Sequence, residues 1–295
     1  MTSRIREIII KNLFAFLAFI SVLLLGLIVI FLFREGLPIF SQVSLKQFLF
    51  GTGWYPTYTP PEYGIWPLIV GSLIVTMLAS IVAVPFGLLS AIYISEIAPA
   101  RIREILKSVI ELLAGLPSVV LGFFGMVLLA PWMQETFDLP TGLNIVNASL
   151  MLALMAIPTI SSISEDALYA VPRDFKEASY ALGATKYETI VKVVVPAALS
   201  GISTAVILGM SRAIGETMVV LMVAGGAAAI PQGLFDSVRP MTASIAAEMG
   251  EAPFGGGHYH ALFATGIVLF LITLAFNLVA DYVSHRFKEE GSGTL

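Results

Sequence analysis

Cysteine is absent from the 295 residues, and charge is scarce: Asp, Glu, Lys and Arg make up 12%, against about a quarter in an ordinary soluble domain. The first absence excludes a disulfide framework, an iron–sulfur cluster, a thiol nucleophile and thiolate zinc sites, while leaving the redox compartment open. The second excludes a soluble enzyme, because a water-soluble fold still needs a charged skin. Basic excess is missing as well. The 16 Lys and Arg against 20 Asp and Glu leave a net charge of −4, which is no electrostatic footprint for nucleic acid. Nowhere does a G-x-x-x-x-G-K-[ST] phosphate loop occur, nor an internal repeat, nor a low-complexity tail beyond the closing GSGTL. No nucleophile–His–acid set stands out, so neither catalysis nor a cofactor is expected. What is abundant is apolar: 57% of the residues are hydrophobic. The composition is that of an all-α polytopic membrane protein.

A helical span needs about 20 apolar residues. Runs with that character cover 12–33, 64–95, 112–133, 143–164, 196–224 and 261–280, and only the fifth is interrupted by charge, at Arg212 and Glu216. The first run ends in FLFREG rather than at a small-residue cleavage site, so it reads as an uncleaved helix. Six transmembrane helices bring both termini to one face. With that face cytoplasmic, Arg4, Arg6, Lys11, Arg101, Arg103, Lys107, Arg173, Lys176, Lys186, Lys192, Arg286 and Lys288 lie inside, and only Arg34, Lys46 and Arg239 lie outside. This asymmetry places the N- and C-termini in the cytoplasm.

The chain divides accordingly into a cytoplasmic segment with the first helix (1–33), a periplasmic loop (34–63), a transmembrane core (64–285) and a cytoplasmic tail (286–295). The first loop carries Trp54, Tyr55, Tyr58 and Tyr63 among prolines and glycines, which suits an ordered, non-helical headgroup-level segment. A second outer stretch, 225–260, is Gly-rich, with helical character at 242–249. Prolines 67, 85, 117, 131, 158 and 196 fall in or at the ends of spans, where each removes an amide donor; kinks of this kind suit a transport pathway, although bundles without one contain them too.

The densest inner charge lies in a loop at 165–196. Two helical stretches, 173–182 and 186–194, flank Gly183; Pro172 suits the first turn of the earlier one. In the later one Tyr187, Ile190, Val191 and Val194 recur at helical spacing as one apolar face. By composition alone this is an amphipathic interfacial connector. Its spacing says more. Glu177-Ala178-Ser179, three residues, Gly183, nine residues, then Val193-Val194-Val195-Pro196 resembles the EAA signature of bacterial ABC importer permeases, Glu-Ala-Ala, three residues, Gly, nine residues, Ile-x-Leu-Pro. Ser179, Val193 and Val195 are conservative departures. The resemblance implies a type I ABC importer permease whose loop docks as a coupling helix on a separate ATPase.

In the fifth run Gly201, Ala205, Gly209, Ala213 and Thr217 fall four apart, a small-residue stripe that admits a closely packed helix from this chain or a partner. Arg212 and Glu216 are also four apart, so a continuous helix would put them on one face. A mid-membrane charge costs roughly 2.5–3.5 kcal/mol on insertion scales. Two accounts cover that cost: a salt bridge that holds the bundle together, or a pathway site in which the guanidinium fork receives an oxyanion and Glu216 competes for Arg212.

SRAIGETMVV, with YGIWPLIVGSLIVT, AVPFGLLSAIYISEIAP and IELLAGLPSVVLGFFG, resembles the PstC-type permease of the phosphate-specific ABC importer over most of 60–285. The likeness implies that Arg212, Glu216 and Thr217 line a phosphate pathway in the inner membrane. It further implies a homologous permease partner, two cytoplasmic ATPase subunits and an external phosphate-binding protein, all amid membrane lipid. Permeation of molybdate or tungstate, or a membrane scaffold docking a cytoplasmic protein, are the alternatives. His258 and His260 form an H-x-H pair with no third ligand nearby, so no metal site is expected and a flexible polar loop accounts for them. Asn147-Ala148-Ser149 is an incidental sequon beside a span. Glu96, Arg101 and Arg103 read as ordinary charge pairing at the inner surface, and His285 as part of the basic tail.

Overall fold

The computed structural model describes residues 2–292 along the backbone, with side chains described for 7–279, Asp281 and Tyr282. Arg4, Arg6, His285, Arg286, Lys288 and the last three residues therefore lie outside the described side chains. The long helices are α1 (Thr2–Gly36), α3 (Trp66–Ile92), α7 (Ile145–Tyr169), α11 (Leu199–Ile214) and α14 (Gly257–Ser292). Shorter ones are α2 (Leu45–Phe50), α4 (Ala100–Ala114), α5 (Ser118–Phe124), α6 (Ala130–Phe137), α8 (Arg173–Ala181), α9 (Lys186–Thr189), α10 (Val195–Ala197), α12 (Met218–Val223) and α13 (Met241–Glu248). A two-residue hairpin, β1 (Trp54–Tyr55) with β2 (Glu62–Tyr63), pairs antiparallel.

Five stretches are long and apolar enough to cross a membrane: Glu7–Ser41, Trp66–Ile97, Ser118–Phe137, Ile145–Tyr169 and Gly257–Val279. A sixth arises if Lys186–Ala197 and Leu199–Ile214, bent by 70°, count together. The third expected span therefore starts later than residue 112. Leu112, Leu113 and Ala114 close the amphipathic helix α4, which Gly115 and Pro117 separate from α5; glycine followed by a pre-proline residue disfavours the helical region there. Lys107 on α4 pairs with Glu165 at 2.7 Å and Asp166 at 3.2 Å on α7.

Helix α7 is the central post. Ala148, Leu152, Ala156 and Ile160 are spaced four apart and buried. They meet Val75, Ala79 and Ala83 of α3 in one cluster, and Gly87 lies so near that a Cβ there would come 2.8 Å from Ile160. Small residues on both faces let the backbones approach, which is what drives helix association where lipid is as apolar as the side chains. Asn147 of the sequon is buried, donating to the carbonyls of Gly125 and Gly142 at 3.0 and 2.9 Å. In contrast, α1 is exposed along nearly its whole apolar length and touches the body through α14.

Two smaller cores close the ends. At one, Phe48, Ile65, Leu68, Met241 and Leu262 gather the first loop under α13 and α14. That loop is not wholly non-helical: Leu37–Ser41 is a 3-10 turn and α2 is a helix whose start is capped by Ser44, which accepts from the Gln47 amide. The helical character of the second outer stretch is α13. Its Glu248 is a hub, accepting from Trp54 Nε1, Arg239 Nη1 and Ser244 Oγ at 3.1, 2.6 and 3.0 Å, with His258 Nε2 at 2.8 Å. His258 and His260 thus sit in the first turns of α14 rather than in a flexible loop, His260 Nδ1 lying 2.7 Å from the Glu35 carbonyl. Nearby, the amides of Gln232 and Gly233 hold the Asp236 carboxyl below its ordinary value. At the opposite end Ala91, Leu168, Val194, Ala198 and Ile202 form the third core, beneath the EAA-like loop.

Candidate functional site

The small-residue stripe finds its partner within the chain. Ala205 and Ala213 are buried, and Cβ atoms at Gly201 and Gly209 would collide with Ala167 and with Ile160 on α7. Holding that face against α7 turns the flank bearing Arg212 outward, one residue (about 100°) round the helix. The helix then stops. Residues 196–224 do not form one span: α10 bends into α11 at Ala198, α11 ends at Ile214, and Gly215, Glu216 and Thr217 are a break before α12.

The break corrects the expected geometry. Glu216 lies past the end of α11, so four-residue spacing no longer puts it on the face of Arg212, and among the described residues the two form no ion pair. Glu216 Oε1 instead accepts the amides of Met218 and Val219 at 3.0 and 3.2 Å, capping α12. A carboxylate at a helix N-terminus satisfies orphan amides and meets the positive end of the dipole. The Glu216 carbonyl also accepts Thr242 Oγ1 at 2.8 Å, fastening the break to α13. Thr217 folds back, its Oγ1 lying 3.4 Å from the Gly215 carbonyl.

Arg212 is exposed and donates from Nη1 to Thr159 Oγ1 on α7 at 3.2 Å. Beside it Ser211 Oγ donates to Asn277 Oδ1 of α14 at 2.7 Å. By helical rise Arg212 is about 20 Å from the start of α11 and two residues from its end at Ile214. Thr159 had no signal in the sequence, because a threonine in an apolar run is ordinary and its partner is 53 residues away.

At the far end, α8 runs over Glu177, Ala178 and Ser179, and Gly183 turns the chain at φ +83°, a left-handed conformation glycine adopts without steric cost. Thr185 and Glu188 then form a capping box that starts α9. Ser179 Oγ and Thr189 Oγ1 are 2.9 Å apart, cross-linking the two helices, and Lys176 Nζ reaches Glu96 at 2.8 Å. Glu177 and Ala178 remain exposed, Leu182 is 90% exposed, and Pro196 sits in the bend leading to α11. The expected single apolar face of the later stretch is split. Ile190 and Val194 are buried while Tyr187 and Val191 stand outward, because Ile190–Val194 is a wider, π-helical turn that rotates the register. The result is a helix–glycine–helix knob with apolar and acidic side chains facing away from the bundle.

The family model for the binding-protein-dependent transport system inner membrane component covers residues 83–289, the knob among them. The chain belongs to this family. A probable ABC transporter permease, YqgH of Bacillus subtilis, is 42% identical over 88% of this chain and 85% of its own. The phosphate transport system permease PstC of Pasteurella multocida is 35% identical over 85% of each. Among solved structures, a bacterial alginate ABC transporter in complex with its pentasaccharide-bound periplasmic protein superposes with a TM-score of 0.59 at 15% identity, covering 93% of this chain and 95% of that one. The inward-facing MetNI methionine ABC transporter gives 0.57 at 20% identity over 76% and 94%. These likenesses fix the fold as that of an ABC importer permease. As a member of this inner-membrane family, the chain is a multi-pass transport component.

Proposed function

We propose that this chain is the permease subunit of an ABC importer that carries inorganic phosphate across the cytoplasmic membrane. The observation that carries the reading is Arg212: an exposed guanidinium in an apolar run charged otherwise only at Glu216, with no carboxylate on it among the described residues. A planar fork with free donors suits a tetrahedral oxyanion, and the PstC relatives, at 30–35% identity over most of the chain, are phosphate permeases by name. Glu216, engaged in capping, does not quench that charge. An exposed cation in an apolar run cannot face lipid cheaply, so a homologous permease covers it and the pathway lies between the two.

The knob of α8 and α9, with Glu177, Ala178, Ser179 and Gly183, docks one of two cytoplasmic ATPase subunits, and the termini lie on that side. ATP binding closes the ATPase pair, the knobs move as rigid bodies, and the bend at Pro196 and Ala198 passes the movement to α11. Phosphate released from an external binding protein passes Arg212, Glu216 and Thr217 and leaves inward.

Radiolabelled phosphate uptake by cells expressing the whole transporter tests the site. Arg212→Ala should lower maximal uptake at least tenfold with chain abundance unchanged. Glu216→Gln, which keeps the acceptor for the α12 amides, should do less harm than Glu216→Ala. Full-rate uptake by Arg212→Ala would overturn the assignment.

A further inference from the structure

Thr159 stands on α7, the most buried helix of the bundle, yet its hydroxyl points to the same exposed spot as Arg212. Among the described residues, the other threonines of the long helices spend their proton locally. Thr76, Thr204, Thr265 and Thr273 donate to the carbonyls of Ser72, Ser200, Ala261 and Leu269 at 2.8, 3.0, 2.9 and 3.0 Å, each four residues back. Ser72, Ser80 and Ser90 of α3 do the same, whereas on α7 Ser149 donates across to the Val75 carbonyl and the buried Ser161 and Ser164 hydroxyls have no partner among the described residues. Among the described residues Thr159 makes no such bond. Its Oγ1 accepts Nη1–H from Arg212, which leaves the O–H proton undirected. A hydroxyl that accepts from a cation is polarised toward donating, since linked hydrogen bonds strengthen one another.

We propose that Thr159 is the second donor of the anion passage: its oxygen fixes the Arg212 guanidinium and its proton goes to an oxyanion held by that guanidinium. The two groups come from different helices, α7 and α11, whose approach is set by Gly201 and Gly209. Their spacing is therefore a property of the packed bundle. An oxyanion with at least two oxygens, one toward the guanidinium and one toward the hydroxyl, is the matching ligand. This rests on the pathway reading of Arg212 and adds a residue to it.

The test is uptake of radiolabelled phosphate by cells carrying the complete transporter, with maximal rate, KM and chain abundance measured for Thr159→Val, Thr159→Ser and Arg212→Ala. Thr159→Val, nearly isosteric but without the hydroxyl that bonds a charged group, should cut the maximal rate about tenfold or more. KM, set by the external binding protein, should stay within about twofold, and Thr159→Ser should restore most of the rate. A Thr159→Val transporter above half the normal rate, beside a defective Arg212→Ala, overturns the proposal and leaves the pathway reading standing. Losses that follow chain abundance, or that Thr159→Ser shares, assign Thr159 to packing and also overturn it. Normal uptake by Arg212→Ala sinks both.

Discussion

Gly209 and Arg212 show how one helix face determines another. At Gly209 a Cβ would come 2.5 Å from Ile160 Cγ1, deep in the α7 contact, and that contact is what directs Arg212 outward. Overpacking of this kind costs about 1–3 kcal/mol. Gly209→Leu should therefore lower the thermal unfolding midpoint of the purified transporter by several degrees and reduce uptake with it; an unchanged midpoint would show that α11 does not press on α7 there. The charges at 212 and 216 were legible in the sequence because apolar runs make any charge conspicuous. Their relation was not. Spacing assumed an unbroken helix, whereas Gly215, the capping by Glu216 and a tertiary bond from Thr242, 26 residues further on, end it at Ile214. Thr159 was invisible for the same reason: its role is made by a contact between helices.

The EAA-like loop is the element that local rules specify best. Gly183 at φ +83°, the Thr185–Glu188 box and the Ser179–Thr189 contact sit where the glycine corner predicts two helices. Giving Gly183 a side chain places a Cβ in the left-handed region, at about 1–2 kcal/mol, and proline there cannot adopt the turn at all. Gly183→Ala should weaken and Gly183→Pro abolish co-purification of the ATPase with the permease, with chain abundance in the membrane retained. Co-purification undiminished in Gly183→Pro would remove the loop from the docking surface. Elsewhere the element-level signals were mixed. Hydropathy located the spans, but it fused the end of α4 with α5, since Leu112, Leu113 and Leu116 continue the apolar run although α4 is amphipathic. The π-helical turn at Ile190–Val194 swapped faces that a 3.6-residue period kept together. Helix α2 did carry a signal, Ser44 three residues before Gln47, masked by the prolines and aromatics around it.

For the whole molecule, scarcity of charge and the position of what remains describe a single design. Apolar side chains of α1, α5 and α6 are exposed to a degree no water-soluble surface tolerates. The polar contacts cluster at the two ends, around Glu248 at one and around Glu96, Lys107 and Glu165 at the other. Arg212 lies between them, and in the proposed transporter a second permease covers it. The central claim, that this chain conducts phosphate under ATP power from another subunit, is met most directly by uptake into proteoliposomes. The vesicles would hold the whole transporter, with ATP inside and binding protein and radiolabelled phosphate outside. Accumulation should require this chain, ATP and the binding protein together, and excess molybdate should leave it unchanged. Accumulation abolished by molybdate, or persisting without ATP, would contradict the account.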